Sequence, residues 1–433
     1  VSALLRWLAL WSLGLGVYVG GWYIEGPAFQ AVQMGSVALF IGAGFLALLA
    51  GGTRRVALCP SELILGSAFM FAMLVAFLRG VPMSTVFGTM FLVVLASVSV
   101  LARQPWVDSV NAVFRRAYVA LIASILLVQP GEFLTSAAGT VEYSIGLVRF
   151  APLGMHPNLS GLVYGGGALL FGQHFLSSQR THQKLFALLM AGLCMSVVLA
   201  ASARASLLAL GLTGALGVVL IAWRGSRRAR MVLLLGALAL VGVAVWKAGA
   251  IADYLQVILD LDSPTRGTDS GATGREEIWA DGIRLFLSDP LLFFTGRGVR
   301  AAGPEVIGFP VESSYINLAL EHGAVFGLLM VLCFVTTAWR TLGRSFQHGV
   351  MNPALLLSGL MLVFVLLQSV FNRYLIAVGN PYSLWILLLL LRLNLAAPLA
   401  RVAAVKPRAA APRPQPTPSP LSTATGRRRP AQA

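Results

Sequence analysis

Apolar runs of roughly 18 to 22 residues recur along the chain, separated by short polar connectors. A run of that length crosses a hydrocarbon core of about 30 Å as an α-helix, which satisfies its own backbone hydrogen bonds in lipid. Twelve spans are expected, at 4–24, 30–50, 62–79, 83–101, 117–135, 157–176, 185–203, 205–223, 231–250, 314–338, 353–371 and 381–395. One polar stretch interrupts the pattern. It runs from Asp260 to Gly323 and carries arginines and carboxylates inside a chain that is otherwise nearly continuous hydrocarbon.

Composition agrees with the pattern: 57% of the 433 residues are apolar and only 11% are charged, too much apolar surface for one soluble core. Charge then orients the spans. Basic connectors fall on every second gap, at Arg54-Arg55, Arg103 with Arg115-Arg116, Arg180 with Lys184, Arg224 to Arg230, and Arg340 with Arg344. Under the positive-inside rule these gaps are cytoplasmic, and so are both termini. Of the 16 acidic residues, 14 lie on the other side, all but Glu62 and Asp108. The first span, flanked by Arg6, lacks a small-residue cleavage site and reads as a retained anchor.

The net charge of +16 says less than its size suggests, because residues 396–433 alone hold seven Lys or Arg and no acid. That Pro-, Ala- and Ser-rich segment has no hydrophobic periodicity and is expected to be a disordered basic cytoplasmic tail, drawn weakly to anionic lipid. Nucleic-acid binding is not implied. Cys59, Cys194 and Cys333 are scattered among apolar spans without ligand spacing, so they are read as packing residues, and no metal or other cofactor is expected.

Ten basic residues break the charge rule: Arg79, Arg149, Arg204, Lys247, Arg266, Arg275, Arg284, Arg297, Arg300 and Arg373 fall on the outer side or near outer span ends. An arginine in apolar surroundings needs an anion, and its planar fork suits a phosphate; the plainer account is pairing with outer carboxylates or lipid headgroups. Three stand out. Arg204 sits at a tight hairpin in LAASARASLLALG, where Gly165-Gly166-Gly167, Gly211 and Gly214 favour close helix approach. Arg275 follows Thr273, which with Glu276 fits a capping box; Trp279, Ile283, Phe286 and Leu287 then form the apolar stripe of an amphipathic helix lying on the membrane, ended by Asp289-Pro290. Arg275 would share that helix end with free backbone N–H groups, an anion seat. Arg373 lies in SVFNRYLIAVGNPY between the last two spans. Glu312 precedes span ten, whose N-cap is Ser313 or Ser314, and is either a general base or a carboxylate stabilised by the helix dipole.

The run GATGREEIWADGIRLFLSDPLLFFTGRGV, followed by VESSYINLALEHGAVFG, resembles the signature region of the O-antigen ligase and O-antigen polymerase superfamily, as do SARASLLALG and LGMHPNLSG upstream. The resemblance covers residues 140–335 by motif. It implies a metal-independent glycosyltransferase of the bacterial inner membrane, moving a glycan from an undecaprenyl-diphosphate carrier to an acceptor glycan or lipid A core at the periplasmic face. Arg204 and Arg275 then hold the diphosphate. Ligases of the family carry a His-Asn pair where this chain has Glu312-Ser313, so Glu312 takes the place of the base and the polymerase branch is favoured. Arg149, Arg284, Arg297, Arg300 and Arg373, with Trp279 and His156, are further candidate substrate contacts, although His156 also reads as a structural residue at the start of span six; His322 reads as a polar residue within span ten.

The expected fold is therefore an all-α polytopic membrane protein of about twelve transmembrane helices: a membrane domain over 1–395, a long periplasmic loop over 251–313 containing the amphipathic helix, and the tail 396–433. A twelve-span transporter or a flippase of lipid-linked sugars is the alternative. The major-facilitator pattern is missing from GGTRRVALCPSE, however, and the arginines collect at outer span ends rather than through the spans. Asp260 and Asp262 form a D-x-D match of a kind common by chance.

Overall fold

The computed structural model describes the chain except for residues 24–25, 52–57, 138–149, scattered positions between 226 and 251, 254–270, 301–307, 309–310, 348–349, 378 and 406–433; for 108, 271–274 and 396–405 it describes the backbone alone. The chain divides into a helical unit, Val1–Leu395, and a second unit, Ala396–Ala433.

Among the described residues, eight helices are long and apolar enough to cross a membrane: α1 (Ser2–Gly20), α2 (Pro27–Gly51), α3 (Pro60–Leu78), α4 (Pro82–Ala102), α5 (Val110–Val128), α8 (Thr181–Ala200), α9 (Arg204–Arg224) and α12 (Ser314–Arg344). The protein is a helical, membrane-embedded, multi-pass chain. Between these lie α6 (Pro130–Ala137), α7 (Pro157–Ser177), α10 (Gly271–Ser288) and α11 (Pro290–Thr295). A two-residue hairpin pairs Phe346–Gln347 with Val350–Met351, and α13 (Pro353–Gln368) and α14 (Pro381–Val405) follow. Expected span six coincides with α7, and spans eleven and twelve with the apolar parts of α13 and α14. Span nine falls largely on positions outside the described residues, as does the first part of the 251–313 loop.

Two span boundaries move. Expected span five starts earlier, at Val110, and stops at Val128, because Pro130 cannot continue a helix and opens α6 instead. Arg115 and Arg116, read as connector residues, are thereby inside α5. Span ten extends to Arg344 but is broken at Gly323, whose φ of 75° and ψ of 171° are not helical.

The centre of the bundle is α7, buried nearly all round against α8, α9 and α13. Apolar packing gains no hydrophobic driving force against lipid, so close approach by small residues matters most. Gly161 lies against Ser206 and Ala203, and Gly165 against Phe364 and Leu210, which locks α7 to α9 and α13. Of the glycines expected to do this, Gly211 and Gly214 face open space instead, since they turn away from α7 on the α9 surface. Tyr118, Tyr164, Tyr382 and Phe364 fill the surrounding core. The three cysteines are buried and free, in keeping with a packing role.

Glu62 and Arg103 form an ion pair where α3 begins and α4 ends. Glu62, 5% exposed, binds Arg103 through both carboxylate oxygens, accepts from Ser99 Oγ at 2.5 Å, and accepts from the backbone N of Cys59 at 2.8 Å. It ties the start of α3 to the end of α4.

Candidate functional site

Glu312 immediately precedes the N-cap of α12, and what holds it there is a neighbouring chain segment. Ser313 occupies the N-cap position, yet its side chain makes no capping bond. The first helical N–H, that of Ser314, reaches Ser369 O at 2.9 Å and Asn372 O at 2.8 Å, while Ser314 Oγ donates to Asn372 O at 2.6 Å and accepts from Leu375 N at 3.1 Å. The connection between α13 and α14 thus caps the helix in place of a serine hydroxyl.

Arg275 meets Glu312 directly. Its Nε donates to Glu312 Oε2 at 3.0 Å and its Nη2 lies 2.8 Å from the same oxygen. The guanidinium is mostly covered, with the Arg275 side chain 18% exposed and that of Glu312 38% exposed. The pair joins residues 37 apart in sequence. The helix begins before the expected N-cap at Thr273: α10 is already helical at Gly271, and Thr273 lies within it. Arg275 therefore acts through its side chain, a turn inside the helix, and the anticipated seat of free backbone N–H groups is absent at that residue.

The packed face of α10 also differs from the expected stripe. Gly282 sits against Ile316, and Leu285 and Phe286 pack on the small core of Leu292, Val311 and Leu320. Trp279, one turn after Arg275, packs its ring 5.8 Å from that of Phe371. Ile283 and Leu287 point outward at 48% and 63% exposure, in line with exposed Leu291 and Phe294 of α11. Asp289 ends the helix as expected and caps α11, accepting from Leu291 N at 2.8 Å.

Beyond α11 the TGRGVR segment folds onto the break in α12. Backbone carbonyls freed at the break accept from it: Arg297 N to Leu320 O at 2.8 Å and Gly298 N to Glu321 O at 3.0 Å. A Cβ on Gly296 would lie 2.4 Å from Glu321 O, and one on Gly323 would lie 2.3 Å from Phe294 O, so the two backbones touch through paired glycines. Arg300 is held at φ 58° with its N–H on Glu321 Oε1 at 2.9 Å and its guanidinium 4.4 Å over the Phe87 ring. Arg79 reaches Thr295 Oγ1 at 3.3 Å, and Ser84 Oγ donates to Val299 O at 2.5 Å.

The other expected residues divide. Arg204 is the first residue of α9, after a tight link in which Ser202 takes φ 45°. The contacts of Gly161 and Gly165 with Ser206, Leu210 and Phe364 set the N-terminal ends of α7 and α9 beside the C-terminal end of α13, the end that caps α12. His156 is the N-cap of α7, its Nδ1 accepting from Asn158 N at 3.3 Å, the structural role that its position suggests. Arg284 pairs with Asp281 at 2.8 Å on an exposed face, the plainer account of an outer arginine. Arg149, Arg266, Asp260 and Asp262 lie outside the described residues. His322 is fully buried, its Nδ1 3.2 Å from Ala68 O and its ring edge-on to Phe69.

Arg373 joins the site together with a residue that sequence reasoning passed over, Tyr374. The charges of Arg373 and Glu312 both act on the Tyr374 phenol. Burial pushes the phenol above its ordinary pKa, the positive charge of Arg373 pulls it down, and Glu312 pushes it up. Glu321 is within electrostatic range of both Arg300 and Arg373. The only sequence signal for Tyr374 was its place beside Arg373. No protein-family model matches the chain, and no curated protein matches it.

Proposed function

We propose that this protein is a bacterial inner-membrane glycosyltransferase that moves a glycan from an undecaprenyl-diphosphate carrier to an acceptor sugar hydroxyl at the periplasmic face, as a polymerase of surface or exopolysaccharide repeat units. The twelve spans and cytoplasmic termini expected from the hydropathy and charge pattern set the face. The observation that carries the reading is the Arg275–Glu312 pair, a phosphate-binding fork and a carboxylate base at one helix mouth. Its motif context supplies the substrate class.

The chemistry follows from what the pair can exchange. Both guanidinium donors rest on a single oxygen, Oε2 of Glu312. A diphosphate oxygen competes for the same fork, so donor binding and release of Glu312 are one event. The freed carboxylate takes the proton of the acceptor hydroxyl while the acceptor oxygen attacks the anomeric carbon. The bond from that carbon to the diphosphate breaks, and its electron pair leaves with the carrier, stabilised by Arg275 and Arg204. Exposed Ile283, Leu287, Leu291 and Phe294 form an apolar strip suited to the lipid surface beside the site.

A deletion strain tests the reading. Loss of long glycan chains with single repeat units still transferred identifies a polymerase, whereas accumulated lipid-linked polymer with bare acceptor identifies a ligase. Unchanged surface and secreted glycan rules out both.

A further inference from the structure

The segment after α11 is wedged into the linked end of the α3–α4 pair, and it sets two arginines on the surface there. A Cβ on Gly298 would lie 2.6 Å from both Ala76 Cβ and Ser84 Oγ, so the backbone passes between the last turn of α3 and the first turn of α4. Ser84 Oγ holds it in place by donating to Val299 O. One turn beyond Ala76, Arg79 Nη2 donates to Thr295 Oγ1 at 3.3 Å; one turn beyond Ser84, the Phe87 ring carries the Arg300 guanidinium at 4.4 Å. Both arginines are exposed, and so are Phe77, Leu78, Met83 and Val86 beside them on the two helices. Apolar side chains exposed on a spanning helix face lipid.

Positive charge collects at this end. Residues 74–90 and 290–300 contain Arg79, Arg297 and Arg300 and no acid. Among the described residues none of the three forms an ion pair, and Glu321 Oε1 takes the backbone N–H of Arg300 at 2.9 Å rather than its guanidinium. Stacking on Phe87 occupies one face of that guanidinium, whereas its N–H donors lie in the plane and stay open to a phosphate. Arg300 also takes φ 58°, a conformation unfavourable for a residue with a Cβ and of the kind found at ligand clamps.

We propose that Arg79 and Arg300 form a site for the phosphate of an anionic phospholipid, bound from the surrounding leaflet with its acyl chains along the exposed apolar ends of α3 and α4. The site needs only a membrane-embedded chain, so it goes beyond the transfer reading and survives without it. It is separate from the Arg275–Glu312 pair, because Glu321, which fixes Arg300, lies nine residues along α12 from Glu312, about 13 Å at the helical rise. A phospholipid fits better than the lipid-linked carrier, since these guanidinium groups lie on the lipid-facing surface, where phospholipid is the most abundant phosphate.

Purified full-length protein in detergent, titrated with dioleoylphosphatidylglycerol and followed by native mass spectrometry, gives the affinity of the tightest-bound lipid. Arg79→Gln and Arg300→Gln should each weaken it by about fivefold, the worth of one basic residue at a charged membrane surface. Arg284→Gln removes an exposed arginine already paired with Asp281 and should leave it unchanged. Zwitterionic dioleoylphosphatidylcholine should bind the wild type more weakly. Equal affinity for the two lipids, an unchanged affinity in either Arg79→Gln or Arg300→Gln, or an equal loss in Arg284→Gln overturns the proposal. Undecaprenyl diphosphate is the rival occupant: if it displaces phosphatidylglycerol, and its own binding falls in Arg300→Gln but not in Arg275→Ala, the site belongs to the carrier and the phospholipid assignment is wrong. Should Arg300→Gln fail to accumulate, Arg79→Gln decides alone, and wild-type affinity there overturns the proposal.

Discussion

At the scale of single residues, the ion pairs Arg275–Glu312 and Arg103–Glu62 ask for opposite experiments. Glu312 and Arg275 are part-exposed and share one oxygen, so separating them costs the fold roughly 0–1 kcal/mol. Arg275→Ala and Glu312→Gln should therefore reach the membrane at wild-type abundance and lose glycan transfer by at least about a hundredfold. Quantifying membrane protein alongside surface glycan checks this, and wild-type transfer by either variant removes that residue from the mechanism. Glu62 and Arg103 are the contrary case. Glu62 is buried and its removal would strand a covered guanidinium, so Glu62→Ala should cost roughly 3–5 kcal/mol, read as a lowered unfolding midpoint in detergent. Cys59 and Ser99, which share the carboxylate, would lose their bonds with it.

Helices and links account for how such residues meet, and here the break in α12 matters most. Gly323 has a φ that residues with a Cβ rarely adopt, and a Cβ there would collide with Phe294 O. Gly323→Ala should therefore loosen the seat of Arg297 and Arg300 and reduce both folding yield and transfer, which fluorescence-detected chromatography and a glycan profile will show. A serine in place of Gly211, which faces open space, should change neither. The span positions were readable because long apolar runs in lipid have one backbone solution. Within them, a glycine in an apolar run signals a break no better than it signals close packing, so Gly323 was read as helix and Gly211 as a contact. The helix mouth at Glu312 was likewise legible only in part. Its capping bonds come from residues 369–375, and no local spacing reports a partner that far along the chain. Tyr374 stayed hidden for the same reason, whereas Arg275 was singled out as a charge that the apolar pattern does not explain, and Glu312 by its place at the helix mouth and by the family resemblance.

For the whole molecule, the account requires that the mouth of α12 open to the periplasm. Single cysteines introduced at Asp281 and Arg284, both exposed and polar, should react with a membrane-impermeant thiol reagent in intact spheroplasts, while one at exposed Arg340 near the opposite end of α12 should not. Reaction at the reverse set of positions would invert the topology. A transporter could share that orientation, so orientation alone leaves the chemistry open. Covalent transfer distinguishes them. The most direct measurement is made with the purified full-length protein in liposomes containing lipid-linked glycan extracted from the deletion strain, following free undecaprenyl diphosphate over time. The account predicts its release with concurrent lengthening of the remaining lipid-linked glycan, and no release by Glu312→Gln. Glycan carried across the bilayer with its diphosphate bond intact would contradict it.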